Sequence, residues 1–571
     1  MGSWKRWATA GMVVAALAGV AGGPPAALAG AGDLDPAFSG DGRVSLPGAG
    51  PFVPRALAIQ PDGRIVAAGS SCQPAAASGD ATCLTDGDAS FRLARLTPDG
   101  GVDPEFGDNG LVTTPIGSGR SQALDVLVEP SGAIVAGGAA RDAQGQDVLA
   151  LARYDARGAL DPTFGIGGIV LQPVGTGFAA IADIAAGPGG TILVTGQAGQ
   201  RMLVARFTAT GALDAGFGTG GTVVAGPAYG YGLGLAPAPD GSVVAAGIAG
   251  DTPDPAGYRF GELRLTAAGL PDGTFGIGGF AEQHAGTSAS YANAAAATPD
   301  GGWVAAGAGT VPDGRQAFTI VRGGPGDAPI PAWTAQAASG AGAVATDVAA
   351  LPDGRVVAAG QVTPNAGGLA FGVARLTPGG ALDPTFGGGF TTIGWERFPF
   401  ARSTAVAVQP NGDVVTAGIG CDGGGTGMRC TGGTAILLLA RQLPDPPAPV
   451  ATPAPTPTPT PAADVTKPRA TVRGVPPQVT RSTLARRGLP VAVRASEKVR
   501  LELWLSGTRR GGKRVVLAHV RLRTPRRTVA FRVHPGRRAL RRVRPGRLRV
   551  QVRLTDRAGN AITLRKHTTL R

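Results

Sequence analysis

One histidine, His284, stands in the first 466 residues, so a Ser-His-Asp triad or a histidine metal cluster has little to draw on there. No GxSxG, HExxH or Walker pattern is present, and the many GxG strings fall at turns in a chain with 94 glycines. The carboxylates offer one local grouping: Asp80, Asp86 and Asp88 lie between Ser70 and Ser90, where they and backbone carbonyls would suit a hard cation such as Ca²⁺. Their spacing fits no EF-hand, and solvated loop charge is the alternative. Four cysteines complete the reactive inventory. Their spacing proposes two local disulfides, Cys72 with Cys83 and Cys421 with Cys430, because tetrahedral zinc would want closer CxxC pairs.

These residues sit on a repeat. Leu34-Asp35-Pro36-Ala37-Phe38 recurs around Asp103, Asp161, Asp214 and Asp383, and with one extra residue around Asp272. Each copy precedes two apolar runs flanking a glycine turn, at Gly63, Gly132, Gly190, Gly241, Gly301, Gly354 and Gly412, which predicts a hairpin. A short apolar strand with one arginine follows, at Arg95, Arg153, Arg206, Arg264, Arg322, Arg375 and Arg441. The arginines recur every ~58 residues, near the ~50 of the longest propeller repeats. Four strands per unit, seven times over, predict an all-β fold: a seven-bladed β-propeller over residues 30–445. A β-solenoid is the alternative, but its coils are shorter. The abundant Gly and Pro (48) and 16% charged residues exclude long helical bundles.

LDPTFGxGG followed by PDGRVVAAGQ and FxLARLTPDG resembles the bacterial delta-60 repeat, a secreted propeller-type family, from Leu34 to about Arg441. The sixth repeat departs from it, with Ala328 to Trp333 in place of the LDPxF segment.

Residues present in every unit read as structure. The proline stiffens a turn, the phenylalanine is buried, and each repeat arginine is expected to meet the aspartate of a neighbouring LDPxF turn as an inter-blade bond. Seven arginines lining a channel for an anion is the functional alternative. Non-repeating segments point elsewhere: the loops 70–90 and 418–434 are long and hold all four cysteines. On ring closure they should lie side by side and form a recognition rim for a protein or glycan.

The termini differ in kind. Residues 1–29 read as a secretory signal, with Lys5 and Arg6 ahead of an apolar stretch and Ala27-Leu28-Ala29 as the cleavage site; an uncleaved anchor is the alternative. Residues 446–466 read as an extended Pro/Thr spacer. Residues 467–571 carry 30 Lys and Arg against three acids, a net +27, which leaves the preceding 466 residues at −13 of the chain's +14. Alternation at Val499, Leu501, Leu503 and Leu505, and at Leu548, Val550, Val552 and Leu554, predicts about seven strands without a helix, a small Ig-like β-sandwich. LTDRAGN, Leu554 to Asn560, resembles the last-strand turn of bacterial Ig-like domains.

With the apolar faces committed to the core, Arg500, Arg521, Arg523, Arg547, Arg549 and Arg553 project outward as a surface for polyanions. The reading is a secreted, monomeric binding or scaffold protein without an organic cofactor, attached to anionic cell-envelope polymers or other extracellular polyanions. A secreted propeller-type hydrolase or oxidoreductase with a metal in the channel is the competing class.

Overall fold

A computed structural model describes residues 30–46, 52–72, 89–175, 177–324, 333–337, 340–365, 367–421, 425–426, 429–430, 435–444, 467–509, 511–523 and 528–571. The signal segment, the spacer, and Asp80, Cys83, Asp86 and Asp88 lie outside the described residues. The chain divides into two compact units, Met1–Pro449 and Val450–Arg571.

In the first unit the predicted hairpins form as expected from their turn chemistry. At Leu351–Arg355 the Gly354 amide donates to the Leu351 carbonyl and Gly354 takes φ +84°, a conformation that glycine adopts without steric cost. The Asp353 carboxylate accepts from the Arg355 amide and holds the turn closed. Among the described residues there are seven four-stranded antiparallel sheets. The first consists of Val53–Ile59, Ile65–Cys72, Ala89–Leu96 and Leu111–Thr114 in that order.

Sequence repeat and sheet are out of phase by one strand. The strand after each LDPxF turn pairs with the arginine strand before it, as Leu111 does with Ala94, and not with the hairpin that follows. The turn itself dictates this: the Asp103 amide donates back to the Arg95 carbonyl, reversing the chain onto its own sheet. The first such strand, Arg43–Leu46, therefore has no preceding unit and closes the last sheet, with Arg43 opposite Ala440 and Leu46 opposite Leu437. The innermost strand of each sheet packs beside that of the next, and Ala401–Val408 of the last beside Val53–Ile59 of the first. The sheets thus form a closed ring. Apolar side chains fill the seams, as where Val44, Val415, Leu437 and Leu439 meet Ile65, Ala67 and Leu96.

The second unit packs a three-stranded sheet, Ala470–Arg473, Leu489–Ala495 and Thr528–Val533, against a five-stranded one, Gln478–Val479, Ala561–Leu570, Gly546–Thr555, Arg500–Thr508 and Arg514–Arg523. One core joins them, including Val472, Leu489, Val491 and Val533 from one sheet and Leu501, Leu503, Leu505, Leu548, Val550 and Leu554 from the other. The helix-free expectation is corrected: short helices span Arg481–Arg487 and Arg537–Arg541. Thr480 caps the first by accepting from the Thr483 amide, and Gly488, at φ +65°, ends it. Helices this short lack the repeated apolar spacing by which a helix is recognised.

Candidate functional sites on the ring axis and the basic sheet

The repeat arginines and aspartates gather on the ring face that carries the hairpin and LDPxF turns. Arg95 Nε lies 2.8 Å from Asp103, Arg375 Nε 2.8 Å from Asp383, Arg206 Nε 2.7 Å from Asp214 and Arg264 Nε 3.2 Å from Asp272. Arg153 pairs with Asp161 at 2.9 Å and Arg441 with Asp35 at 2.6 Å. The expected inter-blade pair is corrected here: arginine and aspartate belong to one sheet, because the LDPxF turn folds back onto the arginine strand. The link to the next sheet runs instead to backbone. Arg153 donates to the Ala209 carbonyl at 2.6 Å, Arg206 to Ala267 at 2.7 Å, and Arg441 to Pro98 at 2.5 Å across the closure. For Arg95, Arg153, Arg206, Arg375 and Arg441 the guanidinium also lies over the ring of the motif's phenylalanine, 4.6 Å from the centroid for Arg375 and Phe386. Burial opposes ionisation of Asp103, but the Glu105 amide and the charges of Arg95 and Arg64 hold its carboxyl below the usual range. Where the sixth repeat lacks LDPxF, Arg322 turns to Asp300 of its own hairpin at 2.5 Å.

The strands that flank the long loops end at the opposite face. The loops' side chains, including those of Cys72, Cys83 and Cys430, lie outside the described residues, but their stems do not. Ala89, Ile419, Cys421 and Ala435 share one apolar cluster with Val53 and Phe400, and the Phe52 amide donates to the Ala435 carbonyl at 3.3 Å. Loop stems of the first and last sheets are therefore neighbours. Cys421 is buried, and no described cysteine is a free thiol.

The axis holds what sequence reasoning missed. Every innermost strand carries a β-bulge, between Pro54 and Ala56 in the first sheet and at the same level in the rest. The bulged residues are Arg55, Leu124, Ala182, Leu233, Asn293, Thr346 and Thr404, one per sheet, and all line one cavity of about 470 Å³. Each stands eight positions before its hairpin glycine, a spacing from which they were recoverable. Beside the bulge, Asp125, Asp183 and Asp347 staple sheet to sheet: Asp125 accepts from the Ile184 amide of the next sheet, Asp183 from Leu235 and Asp347 from Val406. Burial pushes all three upward, Asp183 most strongly because the Asp125 carboxyl is close. Among the described residues no group of three or more His, Cys, Asp or Glu is arranged to hold a metal ion.

In the second unit the outward face of the five-stranded sheet is cationic. Arg500, Arg547 and Arg553 are exposed, Arg549 is half-buried, and the Arg523 side chain lies outside the described residues. Cross-strand register sets Glu502 opposite both Arg521 and Arg553, and Arg521 reaches Glu502 at 2.8 Å. Trp504 stacks on His519 at 4.8 Å in the middle of this face. The neighbouring charges of Arg514, Arg565 and Arg547, with Arg514's the largest effect, pull Arg549 below its ordinary value. Burial first, then Arg547, Arg549 and Arg514, lower His567.

A family model described as a domain of unknown function (DUF5122) beta-propeller matches residues 77–106, 129–164, 188–217 and 351–386. Each match ends on the phenylalanine of an LDPxF-type turn. The chain is a β-propeller repeat protein. Among solved structures, the propeller chain is similar to the extracellular domain of a B. thetaiotaomicron protein described as a hybrid two-component system, at 9% identity and TM-score 0.31. That match covers 91% of this chain and 55% of the other, so this chain spans little more than half its length. It is also similar to the soluble aldose sugar dehydrogenase of Escherichia coli, at 12% identity and TM-score 0.32, over 68% of this chain and 96% of that one. A GH43_1 enzyme from Xanthomonas citri matches at 9% identity and TM-score 0.26, over 66% and 94%. No curated protein matches. Among the described residues no helix is long and apolar enough to cross a membrane.

Proposed function

We propose that the chain is an exported binding protein of the delta-60 type. A seven-bladed propeller presents the loop-bearing face for recognition, and a basic Ig-like sandwich holds anionic cell-envelope polymers. The signal segment 1–29 would direct export, and disulfides Cys72–Cys83 and Cys421–Cys430 would staple the two neighbouring loops.

The observation that carries this reading is the outward face of the five-stranded sheet. Arg514 above all, with Arg565 and Arg547, pulls Arg549 below its ordinary value, and among the described residues the acid paired on this face is Glu502, so a polymeric anion would relieve a repulsion there. Trp504 on His519 adds a flat apolar patch for a sugar or base face.

The test is retention of the full chain on purified bacterial envelopes and on immobilised polyphosphate. Retention at low salt and release by ~0.5 M salt is expected, because screening removes phosphate-type contacts. The triple variant Arg500→Gln, Arg547→Gln, Arg553→Gln should elute at clearly lower salt. A full chain that stays in solution at low salt, or a triple variant retained like the parent, overturns the tethering role.

A further inference from the structure

We propose that the axial cavity binds the oxyanion group of a small hydroxylated ligand, a carboxylate or a phosphate, between Arg55 and Arg402. The two arginines come from the innermost strands of the first and last sheets, which ring closure makes adjacent, and both line the one cavity. Among the described residues that line it there is no carboxylate. The three acids nearest the axis accept from backbone amides of the following sheets. Among the described residues the half-buried Arg55 makes no ion pair or side-chain hydrogen bond.

Electrostatics follow from that placement. Burial, with the charge of Arg55 as the second cause, pushes Arg402 down to about 10, the direction expected when two like charges share a poorly solvated space. An oxyanion held by Arg55 beside Arg402 would offset the hydration that Arg55 has lost, and guanidinium geometry suits bidentate contact with carboxylate or phosphate.

The remaining walls select the rest of the ligand. Thr346 donates its hydroxyl hydrogen to the backbone, at 3.1 Å from the Ala359 and Ser403 carbonyls, and Asn293 donates to the Ala345 carbonyl at 2.7 Å. Their oxygens keep lone pairs that can accept from ligand hydroxyls. Leu124, Ala182 and Leu233 form an apolar arc suited to C–H groups. A second cavity of about 480 Å³ shares Arg55 and that arc and reaches Phe178, which is 40% exposed at the start of an innermost strand; it gives a route in from the loop-bearing face. A sugar acid and a sugar phosphate both present this chemistry.

The test is calorimetric titration of the full chain with galacturonate, with inorganic phosphate and with neutral galactose. Saturable binding of one anion per chain is expected, with none for galactose. Tighter binding of galacturonate assigns the carboxylate source, and tighter binding of phosphate the phosphate source. Arg55→Gln should weaken binding at least about tenfold, whereas Arg55→Lys should keep part of it. Leu233→Asp, which sets a carboxylate on the same wall, should also abolish binding, so the inference does not rest on one variant's folding. The anion should raise Tm in the parent and not in Arg55→Gln. No saturable binding of either anion, or parental binding by a folded Arg55→Gln, overturns the assignment.

Discussion

Arg375 is 1% exposed, yet Asp383 at 2.8 Å, Thr385 at 2.9 Å and the Phe386 ring at 4.6 Å surround its guanidinium. Removing one partner from such a buried pair strands the other charge, at a cost of about 3–5 kcal/mol, which explains why arginine and aspartate recur together through the repeats. Glu262 is the contrasting case. It occupies a strand position where the other sheets place Leu93, Leu151 or Val204, it is 1% exposed, and it accepts from the Gln283 side-chain amide at 2.8 Å. Burial pushes its carboxyl up to about 7 from an ordinary 4.5. The folded chain therefore holds the proton more tightly than the unfolded one. The resulting stability is fully present below about 4.5 and is lost as pH rises through about 7. Glu262→Gln should match the parent near pH 4.5 and be more stable by about 2–3 kcal/mol at pH 8, measured by denaturant unfolding at both. A gap that does not change with pH would contradict this account. The arginine positions were legible from their spacing, but the identity of their partners was not, because it depends on which way the chain turns after each strand.

The bulge also explains a glycine in each sheet. Opposite it, the second strand places Gly69, Gly138, Gly196, Gly247, Gly307, Gly360 or Gly418, and a Cβ on any of them would lie 1.8–2.0 Å from a carbonyl oxygen of the inner strand. Close backbone approach, rather than an unusual φ, demands glycine there. Gly196→Ala should therefore destabilise by more than about 3 kcal/mol, since the obstacle is backbone. Gly257→Ala, where nothing stands within 4 Å, should be near neutral. Thermal melts of the two variants separate the cases, and equal melting temperatures would refute the close-approach argument. The VAAG string was visible as a repeat, but without the bulge its glycine read only as a small residue in a strand.

Each unit has its own core among the described residues: one is centred on Leu501, Leu503 and Val550, and the seams of the ring are filled by other clusters. Scanning calorimetry of the full chain is expected to show two transitions. The smaller belongs to the unit rich in arginine and should move upward with added salt, as screening weakens its self-repulsion. One transition, with calorimetric and van't Hoff enthalpies equal, would mean that the units unfold together.

Repeat period, turn chemistry and alternation are local properties, so the residues alone determined the all-β architecture, the hairpins, the regular arginines and the charge asymmetry between the two ends of the chain. Strand phase, the partner of each arginine, the neighbouring loop stems and the convergence of the seven bulged residues on one axial cavity were decided only by the tertiary structure. Each depends on contacts between segments far apart in the chain: Arg43–Leu46 pairs with a strand ending at Gln442, and Arg55 meets Arg402 only because the ring closes.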